Sequence, residues 1–113
     1  MDPMNEARLK GARARMVSIA RAILAGEVEV LEGCQQLAEL RHALPDGESK
    51  APDILTFAGV DSELDDVPTG DARDLWAPEA LAAKDGQRDE YLARARSAIE
   101  EACRSLVAKY SSS

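Results

Sequence analysis

The sequence predicts an all-α, single-domain helical bundle, and three observations carry that expectation. Aromatic residues make up only 4% of the 113-residue chain, while alanine and leucine are abundant. Sheets favour aromatic and β-branched side chains, so this composition suits helices packed by aliphatic groups. Three long segments carry apolar residues at helical spacing, each forming one stripe. Gly26 and Pro78 stand where a helix-ending glycine and a helix-opening proline belong. A chain of this length is typical of one domain and buries roughly 65% of its unfolded surface, so residues 1–113 are read as one unit.

The first helix is expected over Pro3–Ala25, with proline in its first turn and Gly26 just beyond its end. Leu9, Ala12, Met16, Ile19, Ala20, Ile23 and Leu24 form its apolar stripe; Arg8 and Arg15 border one flank and Arg13 the other. The second helix is expected from Glu27–Val30 to Leu44, before Pro45. Its early glutamates suit the positive end of the helix dipole. Val30, Leu31, Cys34, Leu37, Ala38 and Leu44 form its apolar face, and Arg41 falls near the middle of that face. An arginine there needs a partner or a route to water.

Residues 45–77 form a crossover with prolines at 45, 52 and 68 and glycines at 47, 59 and 70. A structureless connection of that length is unusual inside a compact domain. The apolar island ILTFAGV, residues 54–60, therefore predicts a short helical turn or an extended piece lying over the helix ends. Next comes LWAPEAL, where Pro78 and Glu79 open a short helix and Trp76 and Leu81 occupy the positions of a hydrophobic staple. Trp76 is expected to anchor the crossover in the core. Asp85-Gly86 predicts a break or kink, and the last helix is expected over Gly86–Lys109, with a stripe of Leu92, Ala95, Ile99, Ala102, Cys103, Leu106 and Tyr110 and a frayed tail, KYSSS. Three main helices, the short fourth and the long acidic crossover together predict an up-down-up bundle.

Charge is distributed unevenly. Residues 1–26 carry a net +3, residues 27–44 a net −3, residues 78–113 none, and the crossover −7, equal to the charge of the whole chain. Nucleic-acid binding is disfavoured, because phosphates call for clustered cations. No apolar run approaches the ~20 residues that span a bilayer, and the opening MDPMNEARLK is polar rather than signal-like. A cytoplasmic protein without membrane contact is expected. Cys34 and Cys103 both fall on apolar stripes, which suits buried reduced thiols.

The densest acidity is DSELDD, Asp61 to Asp66. Asp61, Glu63 and Asp65 match positions 1, 3 and 5 of a calcium loop, but Asp66 and Ala72 stand where that loop requires glycine and glutamate. The EF-hand match fails, and no metal ligands are assigned. An irregular divalent-ion site is left as an alternative, and two further uses of the acids stand beside it. Arg41 and Arg73 can form structural ion pairs with Asp61, Glu63 or Asp65, each repairing the other's defect. The acids Asp61, Glu63, Asp65, Asp66 and Asp71 can also draw a basic protein partner into contact. The two uses are compatible. Enzymatic readings have little to rest on: His42 is the only histidine, and no serine or cysteine stands in a nucleophile context. No catalytic residue and no cofactor is expected.

The stretches EGCQQLAELRHAL, TFAGVDSELDDVPTG, RDLWAPEAL and EACRSL together resemble a group of small uncharacterised bacterial helical proteins. The shared features are a glycine followed by a small residue after the first helix, an acidic serine-containing stretch before a proline, and a tryptophan entering the next helix. The resemblance covers about residues 20–107. It implies an all-helical bacterial cytosolic protein and brings no activity with it. The expected function is that of a non-enzymatic interaction protein, an immunity-type inhibitor binding a basic toxin domain. The alternative is a divalent-metal- or small-ligand-binding helical protein, and a homodimer is a third option.

Overall fold

The computed structural model describes residues 3–111, which form five α-helices and two 3₁₀ segments with no strand among them. Helix α1 spans Pro3–Ala25. It ends as the sequence requires: Gly26 takes a φ of 73°, its N–H donates to the Ile23 carbonyl at 3.1 Å, and the Glu27 N–H donates to the Ala22 carbonyl at 2.9 Å. These two bonds satisfy carbonyls that the helix end would otherwise leave open. Helix α2 spans Val30–Leu40 and tightens into a 3₁₀ turn over Arg41–Ala43, leaving Leu44 buried behind it. Gly33 lets α2 close on α1, since a Cβ there would lie 2.7 Å from Cγ1 and Cδ1 of Ile23.

The crossover departs furthest from expectation. A single turn, α3 (Asp46–Ser49), is followed by a twelve-residue helix, α4 (Pro52–Glu63). Helix α4 is part of the core and not a cover over the helix ends. Ile54, Phe57, Val60, Leu64 and Val67 are all buried, and Phe57 is the largest fully buried side chain among the described residues. They supply five of the seventeen buried residues in the one hydrophobic cluster, so the core cannot close without the crossover. Leaving an aromatic ring and four aliphatic side chains in water would forgo about 1.5–3 kcal/mol each, which is the physical reason the island orders.

A 3₁₀ segment over Gly70–Leu75 leads to α5 (Pro78–Tyr110). Helix α5 runs unbroken through Asp85 and Gly86. Its 33 residues span about 50 Å at 1.5 Å per residue, matching the 51 Å long axis of the molecule. Lys109 and Tyr110 belong to its last turn and are not frayed, whereas the terminal serines 112–113 lie outside the described residues.

The fold is an all-α bundle in which α1 packs on α2 and α5, and α4 packs on the same two helices. The four close a ring, with α1 and α4 on opposite sides. The sequence stripes meet at its centre as Met16, Ala20 and Ile23 of α1, Leu31, Cys34 and Leu37 of α2, and Ile99, Cys103 and Leu106 of α5. Helix α5 is used unevenly: its buried residues are Ile99, Ala102, Cys103 and Leu106, and none lies between Pro78 and Ala98.

Candidate functional site

The candidate site is the acidic crossover, and its geometry divides the acids into those that hold the fold together and those that face solvent. At the C-terminal end of α5, Glu48 receives Arg13 of α1 through both oxygens, at 2.6 and 2.7 Å, and the Tyr110 hydroxyl at 2.9 Å. Two cations approach the Tyr110 ring, Arg13 at 5.4 Å and Lys109 at 5.0 Å from its centroid. Desolvation pushes the Glu48 carboxyl up, but the hydrogen bonds from Arg13 and Tyr110 and the charges of Arg13 and Lys109 outweigh it, holding the group below its usual range. Tyr110 is pushed up to about 12, by burial first and then by the anion its hydroxyl contacts.

Beside this clasp lies Asp53, the one buried charged residue among those described. Its carboxylate accepts from the Ile54 N–H at 2.8 Å, from Ser105 Oγ at 3.2 Å and from Lys109 Nζ at 3.0 Å. Asp53 sits in the first turn of α4, where a carboxylate also meets the positive helix end. Burial of its charge is therefore compensated by a donor set and a cation.

The other end of the crossover is tied to the N-terminal half of α5. Asp66 accepts from Lys84 and from Gln87, the latter at 3.2 Å, and the Lys84 contact holds its carboxyl below the usual range. Arg73 forms a two-point pair with Asp85, both contacts at 2.8 Å, and its Nη1 reaches the Pro68 carbonyl at 3.4 Å. Asp85 is accordingly held below its usual range by Arg73.

The sequence-named residues fall as follows. Arg73 does form an ion pair, but with Asp85 rather than with an acid of DSELDD. Arg41 donates to the Ser49 carbonyl at 3.2 Å and makes no ion pair among the described residues. The 3₁₀ turn that closes α2 brings the guanidinium to the end of α3, whose last carbonyls need donors. Asp61 is half-buried on α4, close enough to Cys34 that it joins burial and Cys103 in pushing that thiol up to about 12. Cys103 is pushed up to about 11 by burial, and both cysteines are free and buried, an inert setting for thiols. Glu63, Asp65 and Asp71 are exposed and, with Asp74, make no hydrogen bond or ion pair among the described residues.

Trp76 does not anchor the core. It is 37% exposed, and Leu75 beside it is 88% exposed. The anchoring that the only tryptophan was expected to give comes from Phe57 and its aliphatic neighbours. The residues that fasten the crossover, Glu48, Asp53, Lys84, Asp85 and Lys109, were not singled out as a set by sequence. The signal available for Asp53 was its place after Pro52 at a helix start, matching Glu79 after Pro78.

Among the described residues, no group of three or more His, Cys, Asp or Glu side chains is placed to hold a metal ion, and no helix is long and apolar enough to cross a membrane. A groove of about 890 Å³ runs between the end of α1, the start of α2 and α5, with Ile23, Leu24 and Val30 on one side and Leu92, Ala93 and Ile99 on the other.

An all-α bundle whose charged crossover is built into its core is thus the class that fold and site define. The chain belongs to the DUF2489 family, whose model, described as a protein of unknown function, matches residues 4–106. Comparison with curated proteins and with solved structures gives no match.

Proposed function

We propose that the protein is a non-enzymatic interaction protein of the bacterial cytoplasm that docks on a basic protein domain, in the manner of an immunity-type inhibitor. The observation that carries this reading is the pairing of Leu75 and Trp76, adjacent and solvent-facing, on a segment that also presents the unengaged carboxylates of Asp71 and Asp74. Apolar surface rimmed by charge is typical of interfaces, and tryptophan is among the residues that dominate binding energy when a partner covers them. Acidic groups around such an anchor raise the encounter rate with a basic surface and exclude acidic ones. Glu63 and Asp65 extend the negative field along the same crossover. Asp66 contributes charge although Lys84 and Gln87 partly engage it, and the half-buried Asp61 adds to the same field.

Fastening the segment at Asp66 and Arg73 serves such binding, because a pre-ordered loop loses less entropy on association. The test titrates the protein calorimetrically with the separately expressed products of the adjoining genes, at low and high salt. The reading requires one basic product that binds, with affinity falling as salt rises. Trp76→Ala should weaken that binding at least about tenfold, the loss typical of a central anchor, and Asp71→Asn/Asp74→Asn should slow association. If no product binds, or if the variants bind as well as the parent, the reading fails.

A further inference from the structure

From the groove and the charge order along α5 we infer that this face is an isologous interface joining two copies of the chain, with their α5 helices antiparallel. This inference is independent of the acidic crossover as a docking site. Asp89, Leu92, Ala93 and Arg96 all border the groove. The two charges are seven residues apart, which is two helical turns, so they lie on the same stripe roughly 10 Å apart along the axis, with the apolar pair midway between them.

A twofold axis passing between Leu92 and Ala93 exchanges the two ends of that stripe. Each Asp89 then faces an Arg96 of the other copy, and each Leu92 faces an Ala93. A surface that reads acid, apolar, apolar, base is self-complementary under this operation, which is the requirement for a closed symmetric dimer. Both charged side chains are available, since Asp89 is 69% and Arg96 80% exposed. Their present partners, Arg88 and Glu100, are neighbours on the same helix, and exposed contacts of that kind are weak and easily exchanged.

The apolar part of the remaining lining fits this occupant, and Glu100 and Arg104, 3.9 Å apart, complete it. Leu24 is 39% exposed at its edge, and Leu92 packs only partly against the core. The N-terminal half of the partner's α5 runs antiparallel along the groove and offers it Ala82 and Gly86, both exposed and small enough for close helix approach. Knobs of one helix entering the grooves of the other at a shallow angle is the ordinary packing of antiparallel pairs.

The experiment is sedimentation equilibrium of the full chain over a range reaching millimolar concentration, with circular dichroism to confirm that each variant is folded. The parent should be a dimer. Asp89→Arg alone and Arg96→Asp alone should each weaken dimerisation about tenfold or more, because each places two like-charge pairs across the axis. The double variant Asp89→Arg/Arg96→Asp should restore the dimer, which no loss of folding and no unrelated contact would do. Leu92→Glu should give a monomer. The inference is overturned if the parent stays monomeric throughout, if the double variant is as weak as the singles, or if the dimer ignores all four variants. A monomer whose groove instead takes up an apolar dye such as anilinonaphthalene sulfonate, with uptake abolished by Leu92→Glu, would assign the groove to a small ligand and equally overturn it.

Discussion

The two halves of α5 are built for different work. From Ile99 to Leu106 the helix enters the centre of the bundle, and its last two turns supply Ser105, Lys109 and Tyr110 to a polar clasp around Asp53 and Glu48. From Pro78 to Ala98 no residue is fully buried: Tyr91, Leu92 and Ala95 lean on the edge of the core, and two ion pairs reach the crossover, an exposed one between Lys84 and Asp66 and a half-buried one between Arg73 and Asp85. One helix thus joins a half that holds the fold to a half that leaves surface free. The difference shows that the density of acids and their use in fastening the fold do not coincide in this chain. Glu48 and Asp53, outside the densest acidic run, make the contacts with buried or half-buried groups. Glu63, Asp65 and Asp71, named for their density, remain in solvent.

The comparison can be broken most severely through the core that α4 shares with the C-terminal half of α5. Phe57→Ala should cost about 3–5 kcal/mol in chemical denaturation, the range for emptying a buried aromatic site; Leu75→Ser, on the open side, should leave the unfolding midpoint where it is. A comparable loss from the two substitutions would erase the distinction. A smaller effect separates the two sets of ion pairs. Lys109→Met leaves Asp53, whose side chain is 6% exposed, without its cation. The expected cost is about 1–3 kcal/mol, below that of a fully enclosed pair because Lys109 is itself reached by water. Lys84→Met should scarcely move the midpoint, as is usual for exposed pairs.

The smallest effect is in pH. Glu48 is held below its ordinary value in the folded chain, so between the two values the unfolded chain binds more protons. Its contribution is complete above the ordinary glutamate value of about 4.3 and is lost as pH falls through the lower folded value. The thermal midpoint should therefore drop on acidification from about pH 5 to about pH 3, and Glu48→Gln should flatten that drop. An unchanged slope in the variant would move the acid sensitivity elsewhere, with Asp66 and Asp85 shifted in the same direction.

Much of the fold was legible in the sequence. The bounds of α1, its glycine stop and the apolar stripes of α1, α2 and α5 follow from period and capping alone, because those signals are local. Helix α4 was legible too, but its signals compete. Ala51-Pro52-Asp53 opens it as Ala77-Pro78-Glu79 opens α5, and Ile54, Phe57, Val60 and Leu64 recur at helical spacing. Pro52, Gly59 and Pro68 read as breakers, yet Pro52 is at the first helical position and Gly59 is exposed, where glycine costs only about 1 kcal/mol. Gly86 misled in the same way, and the helix continues through it. The pairing of charges was not legible, since Arg13–Glu48 and Asp53–Lys109 join residues far apart in the chain and depend on how the ring of helices closes. Trp76 points the same way: a lone tryptophan is ordinarily read as a core anchor, and only the packing reveals that Phe57 already fills that place.

The central claim is that the crossover is an integral part of the bundle. Residue-resolved amide hydrogen exchange tests it most directly. The account predicts that amides 57–64 of α4 exchange as slowly as amides 102–106 of α5, both limited by opening of the whole bundle. Exchange of 57–64 at the rate of an unstructured peptide, while 102–106 stay protected, would contradict it.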